Sequence, residues 1–129
     1  MKCLKETVPV SAISVINVLP TIFAWISGRK SAERDFREAV ELDPTNADAH
    51  VGLAGALEDI NEPSARAEAQ TALRLEPIST DALLVLARLD LKTSQTQSAE
   101  QMVDRVLALE PNNSAALALK RSIGEKVQK

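Results

Sequence analysis

Leu42-Asp43-Pro44, Leu75-Glu76-Pro77 and Leu109-Glu110-Pro111 are one tripeptide used three times, with prolines 33 and then 34 residues apart, so the chain of 129 residues is an internal repeat. The repetition extends beyond the tripeptide. Twelve residues before each proline stand Ala32, Ala65 and Ala99; eight before stand Phe36, Ala69 and Val103; five before stand Ala39, Ala72 and Val106. All are small or apolar, as a helix buried against neighbours requires. Two residues after each proline come Asn46, Ser79 and Asn113, whose side chains accept hydrogen bonds from free amides at a helix N-terminus, and five after come Ala49, Ala82 and Ala116. Each proline therefore follows a helix that it cannot extend, since it lacks an amide hydrogen and pushes the preceding residue out of helical geometry. A turn and a capped new helix follow it.

A period of this length holds two helices. Ala49, Val51, Leu53, Ala54 and Leu57 predict a helix over about 47 to 59, and Leu83, Leu86, Ala87 and Leu89 its counterpart over about 80 to 92. Asn61-Glu62-Pro63 and Thr93-Ser94-Gln95 read as the turns inside each unit. The partner helices are then expected over about 63 to 75, with Pro63 in its first turn, and about 96 to 109, with Asn61 or Ser94 as caps. The extra residue in the second proline spacing is assigned to this inner turn.

These positions resemble the tetratricopeptide repeat, a helix-turn-helix unit of about 34 residues. Ala32, Phe36, Ala39 and Pro44 match the second-helix half of its motif in order, and Leu53-Ala54 and Leu86-Ala87 match the leucine and small-residue positions of the first helix. The resemblance covers roughly residues 30 to 120 and implies an all-α fold, a right-handed superhelical solenoid of antiparallel helix pairs. The sequence departs from the motif in three ways. His50 and Leu83 take the usual tryptophan position, Leu57 and Asp90 the usual tyrosine, and the inner-turn glycine is missing from both complete units. A core of Leu, Val and Ala is expected in place of aromatic rings, with marginal stability because alanines bury little apolar area. Residues 29–129 form the repeat domain in this reading, closed by a capping helix over 114–127. There Lys120 and Arg121 replace the leucine and small residue that a further repeat would need.

Residues 1–28 are a separate apolar segment. Between Val8 and Ser27 no residue is charged, and the stretch is about long enough to span a bilayer. Three readings stand: a first repeat helix kinked at Pro20, an uncleaved membrane anchor over 8–27, and a signal peptide with Lys2 and Lys5 as its basic start. If the segment is an anchor, Arg29, Lys30, Arg34 and Arg37 outweigh the two lysines and place the repeats in the cytoplasm.

Composition narrows the chemistry. A net charge of -3, no basic run, two Phe, one Trp and no Tyr argue against nucleic-acid binding, which needs a cationic footprint and stacking platforms. One cysteine, Cys3, forms no internal disulfide and reads as an unpaired thiol, and with one histidine, His50, the chain lacks a His/Cys set for a tetrahedral metal site. His50 stands at a packing position of the repeat and reads as a packing or interface residue. The adjacent Glu58 and Asp59 read as a solvated helix end. No phosphate-binding glycine loop or nucleophile elbow is present. No catalytic, cofactor or metal site is expected, and the chain is not read as an enzyme.

What remains is binding. In the family that this chain resembles, the first helix of each unit lines a concave groove, which implies groove positions at Asp48, Val51, Gly55 and Glu58 in one unit and Asp81, Leu84, Arg88 and Lys92 in the next. The expected function is a protein-binding adaptor or scaffold, with a membrane-anchored assembly factor and a fragment of a longer repeat protein as alternatives. Family members that clamp the acidic tails of heat-shock chaperones use Lys and Asn where this chain has Val51, Gly55, Asp81 and Val85. Binding of such tails is not expected.

Overall fold

A computed structural model describes Gly28 and residues 30–128, and the readings of Cys3 and of residues 8–27 lie outside them. Helix α1 covers residues 30–42. Then follow α2 (Ala47–Leu57), α3 (Glu62–Leu75), α4 (Thr80–Lys92), α5 (Thr96–Leu109) and α6 (Ser114–Val127). The described residues contain no strand, and the fold is an all-α solenoid of antiparallel helix pairs.

The repeated acid, proline and cap residues have defined mechanical roles. The acid's backbone amide closes the helix before it, Asp43 onto the Ala39 carbonyl, Glu76 onto Ala72 and Glu110 onto Val106, at 3.0, 2.7 and 2.7 Å. Its carbonyl then accepts the amide three residues later, from Asn46, Ser79 and Asn113, so each proline occupies the second position of a β-turn, where its fixed φ is favourable. The residue ending that turn caps the next helix. Asn46 accepts from the Ala49 amide at 3.2 Å, Ser79 from Ala82 at 3.4 Å and Asn113 from Ala116 at 2.9 Å. Two of the acids also tie the turn by their side chains. Asp43 accepts from the Thr45 amide and hydroxyl, and Glu110 accepts from Asn113 Nδ2 and Thr80 Oγ1; these bonds hold both carboxyls below their ordinary acid range.

The inner turns differ from each other. Asn61 caps α3 by accepting from the Ser64 amide at 3.2 Å, with Pro63 in the first turn. Ser94 does not cap α5. It has φ 63, the left-handed conformation that closes helices, and the Gln95 amide after it reaches back to the Asp90 carbonyl at 2.7 Å. Serine thus occupies the conformation that the family's glycine would adopt, at a cost that glycine avoids. The extra residue of the second proline spacing does not sit in this turn either. Helix α4 has 13 residues where α2 has 11, while the turn after it spans 93–95 where the turn after α2 spans 58–61, so the net extra residue lies in the helix.

The core is aliphatic. Ala54, Ala65, Ala69, Ala72, Ala82, Ala87, Ala99 and Ala116 are fully buried, which lets helix axes approach closely, and Leu53, Leu83, Leu89, Val103, Val106 and Ile123 fill the space between them. Two clusters form, one among α2, α3 and α4 and one among α4, α5 and α6. Leu73 and Met102 border both, so the two are one continuous core with α4 at its centre. Phe36 of α1 lies directly on Gly52 of α2: a methyl group at Gly52 would stand 2.2 Å from the ring.

Polar residues at the family's aromatic positions are satisfied. Asp90, 1% exposed, accepts from Arg66 Nη1 and Ser98 Oγ, both at 2.6 Å, and so ties α3, α4 and α5 together. That carboxylate, with Glu62, holds the Arg66 guanidinium charged beyond its usual range. His50, also buried, lies 2.6 Å from Glu68 Oε2 through Nδ1 and 2.8 Å from the Pro44 carbonyl through Nε2, linking α2 to α3 and to the turn before it. Its placement is that of a packing residue. No buried side-chain nitrogen or oxygen among the described residues lacks a hydrogen-bond partner.

Candidate partner-binding groove

Which face is inner follows from which helices touch. Helices α2 and α4 contact each other along the stack, as do α4 and α6, whereas α3 and α5 do not. The first helix of each unit therefore lies on the inner side of the curve and the second on the outer side. The eight residues expected from the sequence all lie on α2 and α4 or at their ends, but they are not equivalent.

Three of them are committed to each other or to a neighbour. Arg88 Nε donates to Glu58 Oε1 and Oε2 at 3.0 and 3.1 Å, so this ion pair braces α4 against the C-terminal end of α2. Lys92 donates to the Glu58 carbonyl at 3.3 Å and pairs with Asp59. Glu58 and Asp59 are thus not the solvated helix end read from the sequence. Helix α2 stops at Leu57, and the turn places both acids opposite the cations of α4. A fourth residue is withdrawn: Leu84 is only 4% exposed, because its side chain packs in the cluster formed with α5 and α6.

The other four remain open. Val51 is half-buried, and Asp48, Gly55 and Asp81 are exposed. No described residue lies within 4 Å of the position that a Cβ on Gly55 would take, so among the described residues the backbone of α2 borders free space there. Asp48 and Asp81 sit in the first turns of α2 and α4, where the helix dipole favours a negative charge, and neither carboxylate has a partner among the described residues. The sequence reading missed Asp59, and it missed the third wall. Ala115, Ala118 and Ser122 are exposed on α6 at the register of Asp81, Leu84 and Arg88. The 34-residue offset from Pro77 to Pro111 carries that register and could have identified them.

Among the described residues no group of His, Cys, Asp and Glu has the geometry to hold a metal ion. No described helix is long and apolar enough to cross a membrane.

The repeat pattern and fold agree with known proteins. Residues 63–123 match the sequence family described as tetratricopeptide repeat. Over those residues the chain is similar to tetratricopeptide repeats. Solved tetratricopeptide structures share the fold. The Arabidopsis OM64 TPR domain aligns with TM-score 0.73 at 18% identity, over 82% of this chain and 88% of that one. The first TPR of Spaghetti (RPAP3), solved with the HSP90 peptide SRMEEVD, aligns with TM-score 0.73 at 20% identity, over 95% of this chain and 98% of its own. The second TPR domain of human RPAP3, solved with the HSP70 peptide SGPTIEEVD, aligns with TM-score 0.68 at 21% identity, over 81% and 88%. At these identities the likeness is one of fold. No curated protein sequence gives a significant match.

Proposed function

We propose that the chain is a non-catalytic adaptor or scaffold that holds an extended or helical segment of a partner protein against the inner face of α2, α4 and α6. One observation carries this reading: on the inner face no described residue fills the space at Gly55, and Ala118 and Ser122 of α6 are exposed. The solved tetratricopeptide domains that hold peptides support a segment as the occupant.

Acidic chaperone tails are not its expected ligand. A groove that clamps carboxylates needs free cations, whereas on α2 and α4 Arg88 and Lys92 are engaged by Glu58 and Asp59, and Val51, Gly55, Asp81 and Val85 supply none. The test compares the proteins that co-purify with the full chain, identified by mass spectrometry, with those retained by Gly55→Trp and by Gln101→Trp, the latter an exposed position on the outer helix α5. A groove adaptor loses its specific partners with Gly55→Trp alone. Partners kept by Gly55→Trp and lost with Gln101→Trp would move the binding face to the outer helices.

A further inference from the structure

The charges of the inner face are unevenly spent, and that imbalance describes the occupant. At the C-terminal ends of α2 and α4, Arg88 and Lys92 are neutralised by Glu58 and Asp59 within the fold. At the N-terminal ends of the same helices, Asp48 and Asp81 pair with no cation among the described residues. They stand at one register in consecutive units, so they lie on neighbouring helices that touch. Between the two ends lies Gly55, which leaves room for a side chain larger than itself, with Val51 one turn away.

We infer that this face takes a protein segment presenting Lys or Arg to Asp48 and Asp81, with a bulky apolar side chain seated over Gly55 and Val51. The inference rests on the adaptor reading above and adds the chemistry of the partner. Complementary charge across an interface sets which partner docks and in which direction more than it sets affinity, and like charges brought together are penalised. A basic segment gains two contacts from these carboxylates and meets no unpaired cation on α2 or α4; on α6, Lys126, at the register of Lys92, donates to the Leu91 carbonyl. An acidic segment must displace Glu58 or Asp59 from their partners and also approach two uncompensated carboxylates.

Fluorescence anisotropy of the full chain with three labelled probes tests this. The first is a short capped peptide of Leu, Ala and Lys; the second replaces each Lys by Glu; the third ends in an acidic stretch with a free α-carboxylate. At low salt the lysine probe is expected to bind at least about tenfold more tightly than either acidic probe, with a difference that shrinks as salt is added. Asp48→Asn combined with Asp81→Asn is expected to weaken the lysine probe about tenfold while the helical circular dichroism stays unchanged, the loss expected of two exposed ionic contacts. If either acidic probe binds as tightly as the lysine probe, or the lysine probe does not bind, the inference falls. It also falls if the double variant lowers only the melting temperature, since the two carboxylates would then serve their own helix ends alone. Gly55→Trp separates the two levels of the argument. Loss of a charge-indifferent interaction in that variant leaves the groove standing and removes its preference, whereas unchanged binding of the lysine probe removes the groove itself.

Discussion

At the scale of single residues, two glycines three positions apart on α2 have opposite reasons to exist. Gly52 is where Phe36 rests, with ring atoms that a Cβ would meet at 2.2 and 2.4 Å; Gly55 has nothing within 4 Å of that point. Both pay the same kind of entropic penalty in a helix, so alanine substitutions cancel that part and isolate the contact. Gly55→Ala should stabilise the fold by up to about 1 kcal/mol, the usual helix-propensity gain. Gly52→Ala should fall about 1–3 kcal/mol below it, the range for overpacking a filled site. Urea denaturation of both variants checks this, and equal stabilities would show that the Phe36 ring moves aside freely. Neither role was legible in the sequence, where Gly52 and Gly55 differ in nothing but position. The caps were legible, because Asn46, Ser79 and Asn113 act on amides only three residues away and local spacing suffices to assign them. Ser94 was misread for the same local reason: a serine before a helix suggests a cap, and only the path of the chain shows it closing the helix before it.

At the scale of elements, the helices and their pairing follow from periodicity, whereas the polar ties between them do not. Asp90, Arg66 and Ser98 belong to three different helices and are 24 and 8 residues apart in pairs, a relation that no local pattern encodes. The same holds for Glu58 with Arg88, at a separation of 30, which is why those residues read as free groove charges until their partners were seen. The Asp90 tie is the more consequential because the carboxylate is almost wholly buried. Removing Arg66 strands that charge. Arg66→Met is therefore expected to cost about 3–5 kcal/mol, as breaking a buried pair from one side generally does. Arg66→Met with Asp90→Leu should recover most of the loss, since a well-packed apolar replacement of both partners is often neutral. Chemical denaturation of the two single variants and the double variant closes the cycle, and losses that simply add would show that Arg66 and Asp90 do not act as a pair.

At the scale of the whole molecule, the stack is one-dimensional, and its stability is a sum of units and the interfaces between neighbours. Helix α4 enters both core clusters, while α6 enters only the second. Position in the stack, more than burial, then decides how far a core substitution spreads. Leu89 and Ile123 are both fully buried side chains, and truncating either to alanine removes apolar contacts worth about 2–5 kcal/mol. Leu89→Ala acts at the helix that both core clusters share, so amide hydrogen exchange should speed up from α2 through α6 together. Ile123→Ala acts at the last interface, so exchange should speed up in α6 and along the face of α5 that it covers, with α2 and α3 keeping the protection of the parent chain. A uniform loss of protection on Ile123→Ala would mean that the helices unfold as a single unit, and the inner face could not then change its curvature at one end while holding a segment at the other. A loss confined to α6 would show that the third wall of the groove, with Ala115, Ala118 and Ser122, opens at less cost than the wall formed by α2 and α4.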